Sequence, residues 1–316
     1  MQNVSEGKNA NDVSAHVPSY IPKGVHKFIS GSTENLLLAL TEGAEDKIYV
    51  YKYLFLDESR VQSSWSHWGF GEDAKVLGGG FIGSVLYLLI ERPEGVCLEK
   101  MLFTYNTQDF PEEPYRVLLD RKVVTEPMPE ESYDSNYDRT KINLHEIYEN
   151  YQPSKEIALV TPDGKYQTIT EEEALKGEIL LRGDWRGQQI ILGTRYRFKI
   201  GFSELMIKVS DERGTRSETE GRLQLRRAWV NYSDSGYFKV SVEHFGKSTY
   251  TYEMTGRMLG VDAMINALST ASGQFSFPVQ SNSQTCRLFV ETDLPVPISL
   301  IGAGWEGSVY RRSKSI

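Results

Sequence analysis

Five histidines, two cysteines and 43 carboxylates are the residues of this chain that could bind metal or shuttle protons. His16, His26, His67, His145 and His244 are scattered, and neither HExxH nor CxxC occurs, so the spacing builds no zinc site. His67 lies within Trp65-Ser66-His67-Trp68 and reads as a packed histidine of an aromatic strand rather than a cofactor or sugar ligand. Gly78-Gly79-Gly80-Phe81-Ile82-Gly83 lacks the Lys-Ser/Thr of a phosphate loop and precedes strand residues, so its glycines read as a tight inter-strand bend. No GxSxG elbow is present, and no serine has a histidine and aspartate in a recognisable order. With so many acids, a carboxylate pair at glycosidase separation would arise by chance and identifies nothing. The sequence therefore assigns no catalytic, metal or cofactor-binding residue, and no cofactor is expected.

One charged constellation does stand out. Arg222, Arg226 and Arg227 lie in Gly221-Arg222-Leu223-Gln224-Leu225-Arg226-Arg227-Ala228-Trp229, just after Arg213 and Arg216. Strand alternation puts Arg222, Gln224 and Arg226 on one face, with Leu223, Leu225 and Arg227 on the other. The basic face suits either solvent or an acidic neighbour. A complementary acidic stretch occurs at 106–154, where Glu130, Glu131 and Asp134 sit among further acids, tyrosines and Pro111, Pro114, Pro127, Pro129 and Pro153.

The elements that position these residues are strands. Val25–Ser30, Leu36–Thr41, Lys47–Phe55 and Val61–Phe70 are joined by short turns, as in one propeller blade or a meander. Lys75–Leu77, Phe81–Gly83, Val85–Glu91 and Val96–Phe103 repeat the scheme. Two blades close no propeller, so others would have to come from another chain or protomer. Residues 106–154 read as an extended connection with one strand, Tyr115–Leu119. Beyond it, Thr161-Pro162-Asp163-Gly164 marks a hairpin, and Thr170-Glu171-Glu172-Glu173 has capping-box spacing for a helix to Lys176. A second brief helix is weighed at Val261–Leu268. Alternating segments such as Arg195-Tyr196-Arg197-Phe198-Lys199-Ile200 predict sheets with one wet face. The expected fold is all-β: a flexible lead at 1–17, propeller-type blades at 18–105, the connection at 106–154, and an antiparallel sandwich or barrel-like tube domain at 155–316.

Composition restricts the function classes. The formal charge is −8, which disfavours holding nucleic acid or an anionic membrane on a broad basic face. The longest apolar run, Phe81 to Ile90, falls far short of the roughly 20 residues of a membrane helix. The polar N-terminus has no signal-peptide core, and Cys97 and Cys286 read as buried free thiols, which predicts a soluble protein made in a reducing compartment. The 18 tyrosines suit a carbohydrate-binding face, a subunit interface or ordinary cross-strand packing.

Four groups of segments, taken in order, resemble the tail tubular protein B, or nozzle protein, family of short-tailed podoviruses. They are His16-Val17-Pro18 with Ile21-Pro22-Lys23-Gly24-Val25 and Ser32-Thr33-Glu34-Asn35; Tyr49–Phe55 with Gln62-Ser63-Ser64-Trp65-Ser66-His67-Trp68; Gly221–Trp229 with Tyr237–Val242; and Leu294-Pro295 through Trp305-Glu306-Gly307 to Arg311-Arg312-Ser313-Lys314-Ser315-Ile316. The resemblance is to the C-terminal part of the family and spans nearly the whole chain. It implies a non-enzymatic virion protein, six copies of which form the lower tube of a short non-contractile tail. The implied partners are copies of itself, the adaptor or gatekeeper protein, the tail fibre, phage DNA in transit, and the bacterial outer envelope during ejection. Family members are longer, so the resemblance also implies a separate or missing N-terminal half that supplies the remaining blades. A ring needs two different patches on each protomer, for which Arg222, Arg226 and Arg227 and the acids Glu130, Glu131 and Asp134 are the candidates. The competing class is a carbohydrate-binding or polysaccharide-degrading tail protein. A host-recognition module is a third.

Overall fold

The structure is a computed structural model that describes residues 12–56, 59–103, 108–111, 113–148, 156–211, 214–217, 221–255 and 267–311. Most of the lead at 1–17, the turn at Asp57-Glu58, Tyr151, Arg213, most of the helix considered at Val261–Leu268 and the basic tail after Arg311 lie outside the described residues. The chain divides into two compact units, Met1–Tyr105 and Asn106–Ile316.

In the first unit, β1 (Val25–Gly31), β2 (Leu36–Thr41), β3 (Lys47–Leu56) and β4 (Ser59–Gly69) form an antiparallel meander in chain order. The turns are local: Asn35 takes a left-handed φ of 53° between β1 and β2, and Gly43 one of 76° between β2 and β3. A second meander comprises β5 (Lys75–Ile82), β6 (Val85–Arg92) and β7 (Gly95–Leu102). Ile29, Leu36, Leu38, Leu40, Ile48 and Val50 of the first sheet share one core with Val76, Leu86, Leu88 and Ile90 of the second. Complete burial of each such aliphatic side chain contributes about 1.5–3 kcal/mol, so this shared core holds the unit together.

The second meander corrects the expectation of four strands with a glycine bend. Gly78, Gly79 and Gly80 lie inside one continuous strand, β5, which is bulged between Val76 and Gly78. The turn falls instead at Gly83, whose φ is 60°. The glycines serve close approach: a Cβ on Gly79 would lie 2.4 Å from the Tyr87 carbonyl oxygen, and one on Gly31 2.6 Å from the Phe81 ring.

The second unit opens with β8 (Asp120–Val124), β9 (Tyr133–Asp134), β10 (Arg139–Asn143), α1 (Leu144–Ile147), β11 (Ile157–Val160), β12 (Tyr166–Ile169), α2 (Glu171–Leu175), β13 (Glu178–Arg182) and β14 (Ile191–Thr194). They form two sheets, ordered β12-β11-β14-β8 and β13-β10-β9. The described part of 106–154 is therefore not a solvated connection. β8 pairs with β14 and β10 with β13, while Ile142 and Leu144 join Leu159, Ile179 and Leu192 in a core. The expected strand at Tyr115–Leu119 is irregular, although Tyr115 and Val117 are buried; the strand follows it, at β8. The hairpin at Thr161–Gly164 and the Thr170 capping box form as the sequence indicates.

The remaining strands are β15 (Phe198–Gly201), β16 (Lys208–Asp211), β17 (Gly214–Ser217), β18 (Gly221–Ser235), β19 (Phe238–His244), β20 (Tyr250–Met254), β21 (Ala271–Asn282), β22 (Cys286–Thr292) and β23 (Ser299–Arg311). The sheets β15-β22-β19-β20 and β21-β18-β23 enclose a core of Leu223, Leu225, Val230, Phe238, Val240, Phe277 and Val290, and β16 pairs with β17. The pairing of named strands is antiparallel throughout, and no sheet closes into a barrel among the described residues. The fold is all-β, as expected.

Candidate subunit-interface site

The basic segment lies on β18, the central strand of β21-β18-β23. Its alternation carries Leu223 and Leu225 into the core, then slips by one residue so that Ala228 and Val230 continue the buried face. The slip is a bulge between Leu225 and Arg227, seen in the pairing with both neighbouring strands. It corrects the strand-face assignment. Arg226 and Arg227 are both exposed, and Arg227 does not share the face of Leu223 and Leu225.

Both arginines are engaged within the chain. Arg226 donates to Glu306 Oε1 at 2.9 Å, and Arg227 Nε to Glu306 Oε2 at 2.6 Å. Glu306 stands opposite the bulge on β23. Arg222 donates to Gln224 Oε1 at 3.0 Å and remains exposed.

The acidic candidates have local partners of their own. Glu130 accepts from Arg186 at 2.9 Å, and Arg186 also bonds Asp184 at 2.5 and 2.8 Å. Hydrogen bonding from Arg186 holds the Asp184 carboxyl below its ordinary value, while Asp184 raises the guanidinium pKa. The Arg186 guanidinium stacks 4.9 Å from the Tyr133 ring centroid. Asp134 caps the backbone N–H of Asn136 at 2.9 Å, and Glu131 is exposed. No hydrogen bond or ion pair joins Arg222, Arg226 or Arg227 to Glu130, Glu131 or Asp134 among the described residues. The partners missed at the sequence level, Arg186 and Glu306, carry no motif. Only the bulge brings two adjacent arginines to one carboxylate.

Two buried charge clusters also went unread. Lys122 donates to Asp109 and Glu113, each at 2.6 Å, and to the Val117 carbonyl at 2.9 Å; the Glu113 side chain is fully buried. Glu291 on β22 accepts from Ser241 and Arg197 and lies 3.8 Å from Lys239. Burial pushes the Glu291 carboxyl up, but the Arg197 and Ser241 hydrogen bonds and the charges of Arg197 and Lys239 outweigh it. The result lies below the ordinary value of 4.5. His67 is exposed on β4, with its ring beside those of Tyr20 and Tyr49 and its Nδ1 2.8 Å from the Tyr20 hydroxyl. Cys286 is buried, whereas Cys97 is only half-buried; both thiols are free.

The geometry is that of an all-β protein whose charged groups brace strands and loops. Residues 1–316 match the family model described as bacteriophage nozzle protein. The chain is also 37% identical, over 321 aligned residues, to the tail tubular protein gp12 of Escherichia phage T7. That alignment takes in 100% of this chain and 40% of the relative, so the chain spans about two-fifths of the relative's length. The chain belongs to the bacteriophage nozzle protein family.

Proposed function

We propose that copies of this chain assemble head to tail into a ring of six, forming the tube of a short tail through which the genome leaves. The observation that carries the reading is the family match along all of residues 1–316. A net charge of −8 agrees with it, because DNA in transit gains few binding wells from a predominantly acidic protein. In this reading the adaptor protein and the tail fibre dock on the ring.

The first unit is read as propeller-type blades awaiting neighbours. The sheet of β5, β6 and β7 turns Leu86, Leu88 and Ile90 to the core, yet Leu77, Leu89, Val96 and Leu98 are exposed on its far side. Leu89 and Leu98 face each other across the β6–β7 pair. An apolar face of this kind suits another sheet packed upon it, contributed by further nozzle polypeptide.

The test is the mass of the purified chain, alone and mixed with the other tail proteins. A species of six chains of 35.9 kDa, formed alone or on addition of a tail partner, supports the reading. A monomer under every condition overturns it.

A further inference from the structure

The sheet β21-β18-β23 ends in two long, uncovered strands. β23 has 13 residues and β21 has 12, against about 5–6 for an average strand. Among the described residues neither pairs with anything but β18. Roughly half the backbone N–H and C=O groups of such an edge point away from the sheet and invite another strand.

Folded monomers usually blunt such edges with charge, proline or shortness. β23 has none of these along most of its length. Its only charged residues are Glu306, already held by Arg226 and Arg227, and the terminal Arg311. Ile301, Val309 and Tyr310 stand exposed along it. β21 carries no charged residue; Pro278 and an irregularity at Gln280, whose φ is 50°, interrupt it near one end and leave residues 273–277 in regular register.

We infer that β23 of one copy pairs with β21 of the next, joining the three-stranded sheets into one continuous sheet around the ring. The inference deepens the ring reading and rests on it. A second copy of this chain is the occupant that fits, because the two edges are near equal in length, belong to one sheet and differ from each other. That is the heterologous arrangement a closed ring requires. β21 and β23 both run antiparallel to β18, so the junction between copies that share one direction along the axis is a parallel pair. Three strands from each of six copies give about 18, the size at which a closed barrel encloses an aqueous channel instead of a packed interior. One face of the sheet already covers the core of Leu223, Leu225, Val230 and Phe277. The channel is then lined by the opposite face, which carries Gln224 and Asn231 together with Arg222, Arg226 and Arg227, the last two held by Glu306.

Two adjacent proline variants, Ser308→Pro and Val309→Pro, test the junction by native mass and thermal unfolding. Neighbouring residues of a strand send their N–H groups to opposite edges. One variant therefore loses a bond to β18 and is destabilised, while the other stays as stable as wild type and loses the ring. If both unfold, Ser308→Lys with Tyr310→Lys, exposed positions where charge blunts the edge, must give folded monomer. A wild-type ring that survives in every folded variant overturns the edge pairing and leaves the ring reading standing. A wild-type chain that forms no ring, alone or with the other tail proteins, overturns both.

Discussion

Arg227 donates its Nε to Glu306 at 2.6 Å across the β18–β23 pair, at the point where a bulge has slipped the strand by one residue. Without the slip, Arg227 would share the face of Leu223 and Leu225, where an unpaired guanidinium is costly. The bulge thus lets two consecutive arginines remain exposed on a strand whose other face seals a core.

Charge reversal of both Arg226 and Arg227 to Glu is expected to weaken ring assembly, because it gathers three carboxylates where β23 meets β18. Adding Glu306→Arg restores the local attraction. Recovery of the assembly in the triple variant, followed by size-exclusion chromatography with mass detection, assigns the effect to β23. A triple variant that remains dissociated assigns it to an acidic surface on the neighbouring copy.

Replacing Lys122 with Met should cost about 3–5 kcal/mol, since it leaves the buried Glu113 carboxylate and Asp109 without their shared cation. Denaturant unfolding of the variant against wild type measures the loss. A change below about 1 kcal/mol would place the cluster among weak surface pairs.

Glu291 has a folded-state pKa below its ordinary value, so its contribution to stability is complete above pH 4.5 and fades as the pH falls through the lower folded value. The stability gap between wild type and Glu291→Gln should therefore be widest at neutral pH and narrow below 4.5. Unfolding profiles that run parallel down to pH 3 would contradict this.

A methyl group at Gly79 meets the Tyr87 carbonyl and the Leu88 side chain. Gly79→Ala is expected to lose about 1–3 kcal/mol, as overpacked sites do. Gly80→Ala, where nothing lies within 4 Å, should lose far less and serves as its control in thermal unfolding.

These sites also mark how far the sequence could be read. β1 to β4, the Thr161–Gly164 hairpin and the Thr170 capping box were legible because alternation, turn residues and cap spacing are local signals. The glycine run was not, because a strand packed closely against its neighbour and a bend both require glycine. Acids and prolines in 108–148 suggested solvent, yet Lys122 neutralises a buried pair there and β10 pairs with β13 almost forty residues on. The bounds of β14 are not legible in the sequence, because Ile190, Ile191 and Leu192 are buried in succession and show no alternation. The candidate interface was found as residues but not as contacts. Glu306 lies some eighty positions from the arginines it holds, and no spacing rule reaches that far.

The most direct test of the central claim is the native mass of the wild-type chain, alone and with the other proteins of its tail. A closed assembly of six chains is the predicted result, whether it forms unaided or on addition of a partner. A chain that stays monomeric in every mixture contradicts the account.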